Sequence, residues 1–69
     1  MTDTDSGAAL SYRVTELTEV SDQSIEEALN RGGSEGYRFE SIHFVVQPGN
    51  RRPTMAFLFF TRMQERERE

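Results

Sequence analysis

Residues 55–60 read Met-Ala-Phe-Leu-Phe-Phe, six apolar side chains in succession in a chain of 69 residues. The run lies between a proline- and glycine-containing segment, residues 48–53, and a charged C-terminal stretch that starts near Arg62. It is too short for a stable helix and rich in aromatic residues, which predicts a strand covered on both faces. Alternate residues of a strand point to opposite sides. Met55, Phe57 and Phe59 therefore share one face, and Ala56, Leu58 and Phe60 the other. The rest of the chain offers one amphipathic helix, and one helix covers only one side of a sheet.

Ser11–Glu19 predicts a short first strand with Tyr12 and Val14 on one face. Residues 1–10, rich in Thr, Asp, Ser, Gly and Ala, predict a flexible tail. Ser21 is placed to cap a helix, with Val20 and Ile25 at the spacing of a hydrophobic staple. Asp22, Glu26 and Glu27 lie towards the positive end of the helix dipole. Ile25, Ala28 and Leu29 recur at i, i+3, i+4 as a narrow apolar stripe. Arg31 followed by Gly32-Gly33 predicts the helix end, so the helix is expected over Asp22–Arg31. Gly36 suits a positive φ or a close backbone approach.

Tyr37–Gln47 predicts the second strand, and its alternation changes phase. Tyr37 and Phe39 share one parity; Ile42, Phe44 and Val46 share the other. Either a bulge near Glu40–Ser41 shifts the phase, or both faces are partly covered. Residues 48–53 predict a turn, residues 54–62 the third strand, and Met63–Glu69 a charged tail.

The order β-α-β-β predicts an α+β domain over residues 11–62. Strands one and two are parallel across a helical crossover, and the most apolar strand lies between them, giving order 1-3-2 in a mainly antiparallel sheet with one helix on one face. We assign Tyr12, Val14, Phe57 and Phe59 to the helix side, against Ile25, Ala28 and Leu29. Phe44, Leu58 and Phe60, with Ile42 at the margin, then form an exposed patch on the order of 400–600 Å², at the top of what monomers show. These four residues are the expected dimer interface. Parity alone leaves the reverse assignment open.

Composition narrows the rest. Domains this small usually need a staple, a metal or a partner. There is no cysteine, which removes disulfides, zinc–thiolate sites and thiol nucleophiles. With His43 the lone histidine and no carboxylates at metal-loop spacing, no metal or cofactor is expected. Oligomerisation remains, or an unusually good core. A net charge of −4 disfavours general nucleic-acid binding. No run approaches the ~18 apolar residues of a membrane helix, and the acidic N-terminus lacks a signal-peptide pattern, so a cytoplasmic protein is expected.

Ala28-Leu29-Asn30 and Gly36-Tyr37-Arg38-Phe39-Glu40-Ser41-Ile42, with Tyr12-Arg13-Val14 before and Phe59-Phe60-Thr61-Arg62 after, resemble a family of small bacterial proteins, domain of unknown function 4177. The resemblance spans about residues 11–62. The family usually has Trp where this chain has Tyr37, and a Leu-Val run where it has Phe39-Glu40. It implies the same β-α-β-β layout and brings no established activity, catalytic residue or cofactor.

Few residues carry chemistry. His43 is of a type that changes charge near neutral pH, but no Ser or Asp partner is placed for it by spacing. Gly32-Gly33-Ser34-Glu35-Gly36 follows a helix, so it cannot present a helix N-terminus to phosphate, and it lacks the P-loop lysine. Arg51 and Arg52, grouped with Arg13, Arg38 and Arg62, are the candidate anion or partner contact. The reading that follows is a non-catalytic, self-associating interaction or regulatory module, a homodimer able to engage a further protein. The alternative is a small-ligand or single-stranded nucleic-acid binding domain using sheet aromatics and the Arg51/Arg52 loop.

Overall fold

The apolar run becomes the middle strand of a three-stranded sheet. A computed structural model of the chain describes residues 8–65 and orders them as β1 (Ala8–Leu17), α1 (Asp22–Ser34), β2 (Arg38–Val45) and β3 (Met55–Glu65). Both outer strands pair antiparallel with β3, in the order β1-β3-β2. The α+β class, the strand order and the single helix agree with the sequence expectation.

Helix α1 starts where its cap dictates. Ser21 adopts an extended backbone, φ −148° and ψ 167°, and its Oγ accepts from the Ser24 N–H at 3.1 Å. Ser24 Oγ accepts in return from the Ser21 N–H at 2.9 Å, so a serine completes the box that Glu or Gln usually closes. The helix ends three residues later than expected. Gly32 and Gly33 lie inside it, Glu35 is the C-cap, and Gly36 takes φ +87°. The Tyr37 N–H donates to Gly32 O at 2.9 Å and the Gly36 N–H to Gly33 O at 3.0 Å. These are the two bonds of a Schellman motif, which needs a left-handed residue at C′. Gly36 supplies it, so Gly36 and not Gly32 is the terminator.

Gly32 has another task. A β-carbon there would lie 2.5 Å from Cε2 of Phe60. The missing side chain lets the helix settle directly on that ring. The buried face of α1 is Ala28 and Gly32, with Ile25 half-buried, whereas Leu29 remains 36% exposed at the margin. The core beneath is Leu58 and Phe60 with Ala28, and Leu17, Tyr37 and Ile42 pack around it. Phe39 meets the Phe60 ring edge-on, with centroids 6.0 Å apart.

The register of β2 resolves its change of phase. Phe39 pairs with Phe60 and Ser41 with Phe59, so Glu40 is the extra residue of a bulge. The bulge brings Phe39, Ile42 and Phe44 to the same side, level with Phe60, Leu58 and Ala56. That side is the one α1 covers. The face assignment made from parity is therefore reversed. Leu58 and Phe60 are almost wholly buried under the helix, while Tyr12 and Val14 are 68% and 53% exposed on the opposite face.

β1 starts earlier and β3 ends later than expected, whereas β1 stops at Leu17 short of Glu19 and β2 is the shorter Arg38–Val45. Ala8–Leu10, read as tail, pairs with Met63–Glu65, also read as tail, and prolongs the β1–β3 ribbon past the start of β2. The remaining expectations for the two tails, residues 1–7 and 66–69, lie outside the described residues. Between β2 and β3 the Asn50 N–H donates to Gln47 O at 3.0 Å around Pro48-Gly49, with Gly49 at φ +89°. Pro at the second position and a positive-φ glycine at the third are the pattern of a type II turn.

Candidate functional site: the helix-free face of the sheet

The face opposite α1 is built from three rows that follow from the register. Tyr12, Thr61 and Arg38 form one; Val14, Phe59 and Ser41 the next; Glu16, Phe57 and His43 the third. Leu10 and Met63 extend it along the overhanging ribbon, and Val45 with Met55 at the other end. Phe57 and Phe59, on the central strand, are half-buried by their neighbours. Leu10, Tyr12, Val14 and Met63 are each about half exposed or more. Among the described residues no element lies over them. Isolated exposed apolar residues are ordinary; these four are neighbours on one face.

Polar groups at this face are specific in their partners. Thr61 is buried, and its Oγ1 donates to Glu40 Oε2 at 2.8 Å, so the bulge residue satisfies the one buried hydroxyl of β3. His43 stands edge-on to Phe59, centroids 5.3 Å apart, and its Nε2 is 3.3 Å from Ser41 Oγ. Both residues of that pair lie on the same strand at the surface, and no carboxylate among the described residues is hydrogen-bonded to the ring. An open groove of about 710 Å³ crosses the upper part of the face, between Leu10, Tyr12 and Met63 on one side and Arg38, Glu40 and Ser41 on the other.

The four residues expected at a dimer interface are distributed differently. Leu58 and Phe60 fill the core, and Ile42 is half-buried beside them. Phe44 is level with Ala56 on the helix side and is 49% exposed. None of the four belongs to the uncovered face, because the bulge sets Ile42 and Phe44 on the helix side, where Gly32 lets α1 settle over Phe60. The residues that do form it, Tyr12, Val14, Phe57 and Phe59, were read as core. A signal for this was present: Ala28 and Gly32, one helical turn apart, make a small-residue face, and a small face fits closest against the large rings of Phe60 and Phe39.

The arginines expected to act together are separated. Arg13 and Arg62 stand over the Tyr37 ring on the helix side, with guanidinium carbons 4.8 and 4.4 Å from its centroid. Arg13 forms an ion pair with Glu35, and Arg62 Nη1 donates to Glu35 O at 2.9 Å. Both guanidiniums thus hold the helix C-terminus, where the dipole favours cations. Arg38 belongs to the open face, and Arg51 and Arg52 are exposed in the β2–β3 loop at the opposite end of the sheet. Among the described residues no group of three or more His, Cys, Asp or Glu is placed to hold a metal, and no helix is long and apolar enough to cross a membrane. Comparison with protein-family models, curated proteins and solved structures finds no match, so the family resemblance rests on the residues quoted for it alone.

Proposed function

We propose that the chain is a small interaction module that self-associates by burying the helix-free face of its sheet against a second copy. The observation that carries this reading is the patch of Tyr12, Val14, Phe57 and Phe59, which has no covering element among the described residues. Size supports it. Ten residues of β1 span ~33 Å and three strands ~14 Å, roughly 450 Å² in projection and more with side-chain relief. Specific interfaces bury ~600–1,000 Å² per partner, so a face of this size sits at the low end, where weak and transient complexes lie.

Sedimentation velocity from low to high micromolar concentration tests the proposal. The expected result is a monomer–dimer equilibrium that Val14→Lys shifts to monomer without loss of helix signal, since Val14 is exposed on an outer strand. A wild-type chain that stays monomeric throughout refutes it. One observation favours a second reading: the groove beside Tyr12 and Arg38 has the volume of a small-ligand site. NMR shifts that move only around that groove on titration with a nucleotide panel or a single-stranded oligonucleotide support this second reading. The net charge of −4 and the separated arginines favour the first.

A further inference from the structure

Charged groups on the open face are placed asymmetrically, Glu16 on β1 against Arg38, Glu40 and His43 on β2, so different ways of stacking two copies bring different groups together. Two sheets stacked face to face are related by a two-fold axis lying between them. If that axis runs across the strands, β1 lies over β1 and the rows reverse about Phe59. Arg38 then faces the partner's His43, with the Glu40 carboxylate beside it already held by Thr61 Oγ1, and Glu16 faces the partner's Tyr12. If the axis runs along β3, each row stays level with its counterpart while β1 and β2 exchange places. Glu16 then faces the partner's His43, and Tyr12 faces the partner's Arg38.

We infer that the second copy docks with the two-fold axis along β3, so that Glu16 of each subunit pairs with the partner's His43 and Tyr12 of each with the partner's Arg38. The inference rests on the open face being the self-association surface. Stacked sheets lie ~10 Å apart, a gap that two long side chains reaching from opposite sides can close. Glu16, His43, Tyr12 and Arg38 are all exposed in the single subunit. The imidazole N–H donates to the carboxylate, and the guanidinium stacks on the phenol ring. Phe57 and Phe59, on the axis, meet their own counterparts as the dry centre. Both polar pairs occur twice by symmetry. They sit at the rim, where they set register more than affinity.

A charge-swap series read by sedimentation separates the arrangements. His43→Glu places a carboxylate against the partner's Glu16 twice per dimer and is expected to weaken dimerisation roughly tenfold or more. Adding Glu16→Arg to the same chain turns each repulsion into an ion pair and restores dimerisation to at least the wild-type level. Far-UV circular dichroism on both variants verifies that the subunit is folded. With the axis across the strands, His43→Glu instead faces the partner's Arg38 and tightens the dimer. A tighter or unchanged dimer with His43→Glu, or a loss that Glu16→Arg does not reverse, overturns the register while the open face remains the association surface. A wild-type chain without any dimer overturns both.

Discussion

Replacing Gly32 and Gly33 by alanine, one at a time, separates two roles that adjacent glycines of the same helix play. Alanine is favoured over glycine inside a helix by about 1 kcal/mol. At Gly33 nothing lies within 4 Å of the added carbon, so Gly33→Ala is expected to stabilise the domain by about that amount. At Gly32 the added carbon would stand 2.5 Å from Cε2, 2.9 Å from Cδ2 and 3.0 Å from Cζ of Phe60. Carbon contacts settle near 3.5–4.0 Å, so ring or helix must retreat by ~1 Å. The ring has little room to move: Phe60 is 1% exposed and meets Phe39 edge-on. Overpacking of this kind costs ~1–3 kcal/mol and more than offsets the helical gain. The two variants should therefore differ by ~1–3 kcal/mol, with Gly33→Ala the more stable, and each kcal/mol corresponds to ~4–8 °C in Tm at this size. Thermal and urea unfolding followed by circular dichroism, at one fixed protein concentration, reads the difference. Gly32→Ala melting at or above Gly33→Ala would refute the argument that Gly32 serves helix–sheet contact.

Two further substitutions test the ends of α1. Gly36→Ala should lower stability by about 1 kcal/mol because alanine is strained at φ +87°, and Gly36→Asn should recover part of the loss because asparagine tolerates that conformation; equal stability of Gly36→Ala and wild type in urea unfolding would contradict the Schellman assignment. Ser21→Ala removes the acceptor for the Ser24 N–H and should cost about 1 kcal/mol in the same assay, with Ser21→Asp close to wild type.

Much of the fold was legible from local pattern because the signals are local. The Ser21 cap and the Pro48-Gly49 turn each follow from residues adjacent in sequence, and the structure shows both; of the two readings that the phase change of β2 left open, it shows the bulge. The candidate site was legible only in kind. Alternation divided β3 correctly into two apolar sets, which implied that one helix leaves one set uncovered. It assigned the wrong set, because Tyr12 and Val14 made that face of β1 look like core, whereas its helix side carries Arg13, Thr15 and Leu17. Arg13 is accommodated there by Tyr37 and Glu35, contacts made 22 to 24 residues away.

By itself, then, the amino-acid sequence determined the elements, their order, the N-cap of the helix and the surplus of apolar surface over what one helix shields. Those properties depend on neighbours within a turn or a strand. Tertiary structure decided which face is shielded, what Gly32 is for, and how far β1 and β3 run. Each of these depends on a partner distant in the chain: Gly32 on Phe60, Leu10 on Met63, and Phe39 on the bulge that sets it level with Phe60. A strand has two faces by geometry, and only the element that packs against one of them makes it the inside.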